Sequence, residues 1–142
     1  MLMIALVAIM FVSCSKDDDK DKEEAPTTAA NGFTWKENGS TTVQTATTAT
    51  FSTQYKTIMA STATGSVFEI NLSGTTPATY TLNSSNVITY TKVTPFFVPS
   101  TGNVIITANA NGKVSGTFQG TGTTTSGISS VSGTFTNINV VP

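Results

Sequence analysis

Few groups in this 142-residue chain can do chemistry. There is no His and no Arg, and Cys14 is the single cysteine. That removes the usual general base, the His-paired nucleophile and the imidazole metal ligand. Past residue 30 the ionisable side chains apart from tyrosine are Glu37 and Glu69 with Lys36, Lys56, Lys92 and Lys113. Glycoside hydrolysis needs a pair of carboxylates. Glu37, however, falls beside a turn at Asn38-Gly39, and Glu69 alternates away from Phe68 and Ile70, so the pattern gives two solubilising surface charges. Lys113-Val114-Ser115 places a Lys and a Ser on one side of a strand, but the side expected to face water, which reads as a surface pair and not an activated nucleophile. In residues 31–142 there is no Ser-x-x-Lys, no Gly-x-Ser-x-Gly and no Walker-type loop. That stretch also has no Cys, His or Asp from which to build a metal site. The chain reads as a non-enzyme without cofactor or metal. A net charge of −1 without Arg also argues against nucleic acid.

Aromatic side chains are the remaining functional handle. Trp35, Tyr55, Tyr80, Tyr90, Phe96 and Phe97 offer a platform for sugar rings or a lining for an apolar ligand. In Thr94-Pro95-Phe96-Phe97-Val98-Pro99, two prolines bracket three apolar residues, so a central strand is disfavoured. As a loop, this segment cannot easily bury both rings. One is left to cap the interior or to meet a partner. The binding candidates are therefore Phe96 and Phe97, with Trp35 and Tyr90 beside them.

These residues must be positioned by strands. Charged residues make up 11% of the chain, against about 25% in an average protein, while Thr supplies 29 positions. Thr and apolar β-branched residues suit a pleated surface, and no stretch has a 3.6-residue apolar period. The reading is all-β, an antiparallel sandwich or small barrel of eight or nine strands spanning 31–142. Phe33 and Trp35 open the domain and leave it at a hairpin signal, Asn38-Gly39. A strand near 55–61 carries Ile58 and Ala60. Phe68, Ile70 and Leu72 face one way, and Tyr80 and Leu82 continue after a turn at Gly74-Thr75-Thr76-Pro77. Residues 87–93 form a further strand.

At Asn111-Gly112 the apolar alternation predicts a three-residue loop, Ala110-Asn111-Gly112. That loop sets Phe118 opposite Val104, Gly116 opposite Ile106 and Val114 opposite Ala108. Val-Ser-Gly-Thr-Phe occurs at 114–118 and again at 131–135, around a polar loop at 120–127. Gly116 and Gly133 read as close-packing sites beside an aromatic ring. The inward phase changes from Val131, Gly133 and Phe135 to Ile138 and Val140, which predicts a bulge near Thr136-Asn137.

Residues 2–12 are continuously apolar. As a helix they would span about 16 Å, short of a hydrocarbon core of about 30 Å, so they fit the apolar region of a signal peptide. They end in Phe11-Val12-Ser13-Cys14. A signal peptide running into a lone Cys resembles a bacterial lipoprotein signal, with 1–13 removed and Cys14 lipidated. The opening Met-Leu-Met departs from that pattern by lacking Lys or Arg. Acyl chains at roughly 0.8 kcal/mol per buried CH₂ would anchor the chain to a membrane effectively permanently. Residues 14–30 follow as a tether whose run from Lys16 to Glu24 is charged throughout and stays solvated. Ser15-Lys16-Asp17-Asp18-Asp19 resembles the surface-export signal of Bacteroidetes lipoproteins. The resemblance implies an outer-membrane lipoprotein on the cell surface, whereas a plain spacer would leave the domain in the periplasm.

The remainder is similar to small all-β Bacteroidetes lipoprotein domains of unknown function. The matching residues are Asn31-Gly32-Phe33-Thr34-Trp35, Ala78-Thr79-Tyr80-Thr81-Leu82, Gly102-Asn103-Val104-Ile105-Ile106-Thr107 and the two pentamers. Asn109-Ala110-Asn111 departs where that group often carries an acidic residue. The resemblance implies fold and address, not chemistry. The function expected is non-catalytic recognition of a glycan or protein. The alternatives are a structural or self-assembling envelope component and a carrier holding a small apolar ligand inside a barrel.

Overall fold

The computed structural model describes residues 32–92, 96–123 and 127–142. Residues 1–31, which include the expected signal peptide, Cys14, the expected tether and Asn31, lie outside the described residues. The strands are β1 (Gly32–Glu37), β2 (Gln44–Thr45), β3 (Thr48–Ser52), β4 (Thr57–Ser61), β5 (Val67–Asn71), β6 (Ala78–Thr81), β7 (Val87–Thr91), β8 (Thr101–Ala110), β9 (Lys113–Thr121) and β10 (Ser130–Val141). The fold is all-β, with ten strands among the described residues where eight or nine were expected. The segment holding β2 and β3 hid them, because Phe51 is its one large inward side chain among threonines and alanines.

The strands form one sheet, in the order β6-β8-β9-β10-β3-β4-β5-β7, curled into a half-barrel. β10 is the pivot. One side of it pairs antiparallel with β9 along nearly its whole length. On its other side the first half pairs antiparallel with β1, and the last residues pair parallel with β3, Asn139 against Thr50. That parallel contact departs from the purely antiparallel expectation. It lets one long strand serve two groups of neighbours.

The inward face is filled by rings. Phe68 of β5 stacks on Tyr90 of β7 at 4.2 Å between centroids, and Phe33 of β1 stacks on Phe118 of β9 at 4.9 Å. Trp35 meets Phe68 and Tyr90 edge-on. Phe51, Ile58, Ile70, Ile88, Val104 and Phe135 are among the other core side chains.

The two pentamers pair with each other about a local two-fold axis at Thr117 and Thr134, with Gly116 opposite Phe135 and Phe118 opposite Gly133. Each ring lies over the glycine across from it. A Cβ on Gly116 would come within 2.4 Å of the Phe135 ring, and one on Gly133 within 2.6 Å of the Phe118 ring. The expected bulge is present, with the register shifting between Phe135 and Ile138 and Asn137 at φ 49°.

The β8–β9 hairpin corrects the loop expectation. Ala110 pairs with Lys113 across a two-residue turn, with Asn111 and Gly112 both at positive φ (54° and 69°). This is the geometry that Asn-Gly favours between twisted strands. The extra residue is absorbed inside β8, where the register shifts between Ile106 and Ala108. Phe118 still faces Val104 and Gly116 still faces Ile106, but Val114 faces Asn109 and Ala108 is exposed. The apolar register was legible; the place where the strand takes up its spare residue was not.

Replacing Gly133 by Ala should lower unfolding free energy by about 3 kcal/mol, because the methyl group has nowhere to go. Gly39→Ala, at φ 68° with open space around it, should cost only about 1 kcal/mol. Urea titration of both variants measures the difference; equal losses would contradict the packing account.

Candidate functional site

Strand alternation sends every second side chain outward, and on this protein the outward residues are mainly hydroxyls and amides. Two grooves result. The first crosses β8, β9, β10 and β1 and encloses about 440 Å³. Its floor consists of two cross-strand rows, Ile105–Thr117–Thr134–Thr34 and Asn103–Gln119–Ser132–Lys36. Exposed Val43 stands at one side. The Thr34 and Thr134 hydroxyls bond each other at 3.0 Å.

The second groove crosses β3, β4 and β5 and encloses about 460 Å³. Its rows are Thr50–Met59–Glu69 and Ser52–Thr57–Asn71. The β3–β4 turn places Tyr55 over it, with the side chain 71% exposed. The turn is pinned from several directions. The Tyr55 amide donates to Ser52 Oγ, the Thr57 hydroxyl reaches the Tyr55 carbonyl, and the Leu72 amide donates to the carbonyl of Lys56, which sits at φ 56°. The Thr57 hydroxyl also lies 2.7 Å from Asn71 Oδ1, and Asn71 Nδ2 donates to Glu69 Oε1 at 2.9 Å.

A third cluster closes one end of the interior. Glu37 Oε1 accepts from the Tyr90 hydroxyl at 2.6 Å, from Gln44 Nε2 at 2.6 Å and from the Trp35 indole at 3.4 Å. Lys92 Nζ lies 2.9 Å from Glu37 Oε2. Burial alone would raise the Glu37 pKa, but the hydrogen bonds from Tyr90, Lys92 and Gln44 outweigh it and hold the carboxyl below its ordinary value. Burial, with the hydrogen bond to Glu37, pushes the Tyr90 phenol well above its ordinary value. Glu37 is thus not the free surface charge that its neighbouring turn suggested. Parity carries the missed signal. Glu37 is in phase with buried Phe33 and Trp35, and Lys92 with buried Ile88 and Tyr90.

The sequence-derived binding candidates separate. Trp35, Tyr90 and Phe97 are core residues, at most 1% exposed, so they cannot form a platform for a sugar ring. Apolar face area was the stronger claim on them, since all three meet other rings or the interior. Phe96 is 58% exposed. The split between the two phenylalanines comes from a short bridge, in which Phe97 exchanges both backbone hydrogen bonds with Tyr90 and turns its ring inward. Pro99 then packs on Gly120, and the Ser100 amide donates to Thr121 O, so 96–100 forms a strap from β7 to the end of β9. Lys113 and Ser115 are engaged with Asn139 and Asn137 respectively and not with each other. Cys14 lies outside the described residues.

No protein-family model, curated protein or solved structure matches the chain.

The Glu37 cluster has a definite pH consequence. A carboxyl whose folded pKa is lowered contributes stability above its unfolded pKa, and that contribution disappears as pH falls through the folded value. Unfolding free energy should therefore decline from pH 6 toward pH 3, and Glu37→Gln should flatten the decline. Glu37→Ala, which orphans the buried Tyr90 hydroxyl, should cost about 2 kcal/mol at neutral pH. Urea titrations across this range check both; an unchanged acid limb in the Gln variant would remove Glu37 from the account.

Proposed function

We propose that the protein is a lipid-anchored, non-catalytic recognition module of the outer membrane, held at the cell surface through Cys14 and binding a glycan or protein. The observation that carries the recognition reading is the outward groove over β8, β9, β10 and β1, where two cross-strand rows, apolar only at Ile105, present hydroxyl, amide and amine groups. Such a surface offers many hydrogen-bonding groups and only Lys36 as a charge, which suits a neutral polar partner. The interior supports binding outside over carriage inside, since aromatic rings occupy it. The non-catalytic reading is supported by the commitment of Glu37 to Tyr90, Gln44 and Lys92. The lipid anchor and surface address rest on the apolar run, Cys14 and the Lys16–Asp19 segment.

Protease shaving of intact cells tests the address. The domain should be lost while a periplasmic control survives. Survival of a domain that the same protease cleaves after purification would place it in the periplasm. Glycan and protein arrays probed with the chain from Ala25 onward test recognition. Selective binding is expected, weakened at least tenfold by paired Thr117→Val and Ser132→Val substitutions, each removing a hydroxyl that a bound partner would use. Failure to retain any glycan or protein would overturn the recognition reading.

A further inference from the structure

We infer that the groove over β3, β4 and β5 is a subsite for one neutral pyranose ring, with Tyr55 as its stacking face. The inference rests on the recognition reading and names a ligand class for a different face of the sheet. A pyranose presents C–H groups on one face and hydroxyls around its rim. Its binding site therefore needs an exposed aromatic face beside fixed hydrogen-bonding groups. Tyr55 supplies the first, and among the described residues its hydroxyl makes no hydrogen bond inside the protein. The turn that carries it is held by Ser52, Thr57 and the Lys56 carbonyl, so its backbone is ordered before a ligand arrives.

The second requirement is met by the Thr57–Asn71–Glu69 chain on the groove floor. Glu69 Oε1 is occupied by Asn71 Nδ2, whereas Glu69 Oε2 has no partner among the described residues and is left to accept from a sugar hydroxyl. Met59, 43% exposed, adds an apolar contact next to Glu69 in the same cross-strand row. Glu69 is the one charged group lining the groove, so a neutral sugar is favoured and a uronic acid is repelled. The first groove offers hydroxyls and amides of the same kind but no exposed aromatic face.

The test is protein-observed NMR on the full chain in dodecylphosphocholine micelles, titrated with methyl β-galactopyranoside and methyl β-glucopyranoside. At least one glycoside should shift the amide signals of Ser52, Tyr55, Thr57 and Asn71 at millimolar concentration. Methyl galacturonide should shift them less. Tyr55→Ala should weaken the effect about tenfold, the upper end of what an aromatic face contact supplies. Tyr55→Phe should retain it, since only the hydroxyl is lost. The unfolding midpoint should be the same in both variants, because Tyr55 is exposed. Shifts confined to the first groove would overturn this site while leaving the recognition reading in place. Silence with both glycosides, or equal binding by Tyr55→Ala, would overturn the pyranose assignment. The array result, which does not depend on Tyr55, judges the recognition reading separately.

Discussion

The fold depends on the reciprocal contact between two glycines and two phenylalanines across β9 and β10. Gly116 and Gly133 leave gaps in the pleat, and Phe135 and Phe118 lie down into them. A glycine alone weakens a strand, because it has no side chain to pack and more backbone freedom to lose. An aromatic ring laid over it from the neighbouring strand restores the buried area, and it does so only if the register is held. The same Phe118 then stacks on Phe33 and meets Phe68 edge-on, so one cross-strand pair fixes the position of β1 and reaches β5. This links a repeated pentamer to the centre of the core.

The length of β10 turns that contact into a curled sheet. A strand with the same neighbours throughout would extend a flat layer. Here the bulge between Phe135 and Ile138 changes the neighbour on one side from β1 to β3, while β9 stays on the other. Asn137 adopts positive φ, and Ser115 Oγ accepts its amide, so the bulge replaces the ladder bond it interrupts. A second bulge in β8 keeps Val104 and Ile106 inward despite the short Asn111-Gly112 turn. At the other end, Asn38 ties the β1–β2 turn to the β9–β10 loop, donating to Gly127 O and accepting from the Ser129 amide. Bulges therefore do the steering that a regular sheet of this length would resist.

Much of this was legible in the residues, for a reason that also sets the limit. Period-two alternation marks which face is inward, so Phe68, Ile70, Tyr80, Leu82, Val104, Phe118 and Phe135 were readable as core. The phase change near Asn137 identified a bulge because apolar residues flank it on both sides. In β8 the side chains beyond Ile106 are small or polar, and nothing in the pattern separates a longer loop from a bulge within the strand. β2 and β3 gave no apolar alternation because their inward positions are Gln44, Ala49 and Phe51, only the last of them large and apolar. For the aromatic candidates, sequence gave type but not direction. Trp35 and Tyr90 are bound to the interior by their ring partners, and Tyr55 escapes it because its four-residue turn projects beyond the sheet.

The scarcity of charge ties the surface to the core. With so few ionic groups, outward solubility rests on Thr, Ser, Asn and Gln, which can bond one another across strands, as Thr34 does with Thr134, Thr48 with Ser61 and Thr101 with Thr121. These pairs satisfy the hydroxyls without long flexible side chains. A partner binding such a face loses little to side-chain ordering, because short branched side chains have few rotamers to give up. Its discrimination must then come from shape and hydrogen-bond pattern and hardly at all from charge. That is a demand a curled sheet can meet, since its curvature fixes the spacing of the rows. The Glu37 cluster fits the same logic. It places one of the few carboxylates where Tyr90, Gln44 and Lys92 converge, and so keeps that charge fixed at the end of the core.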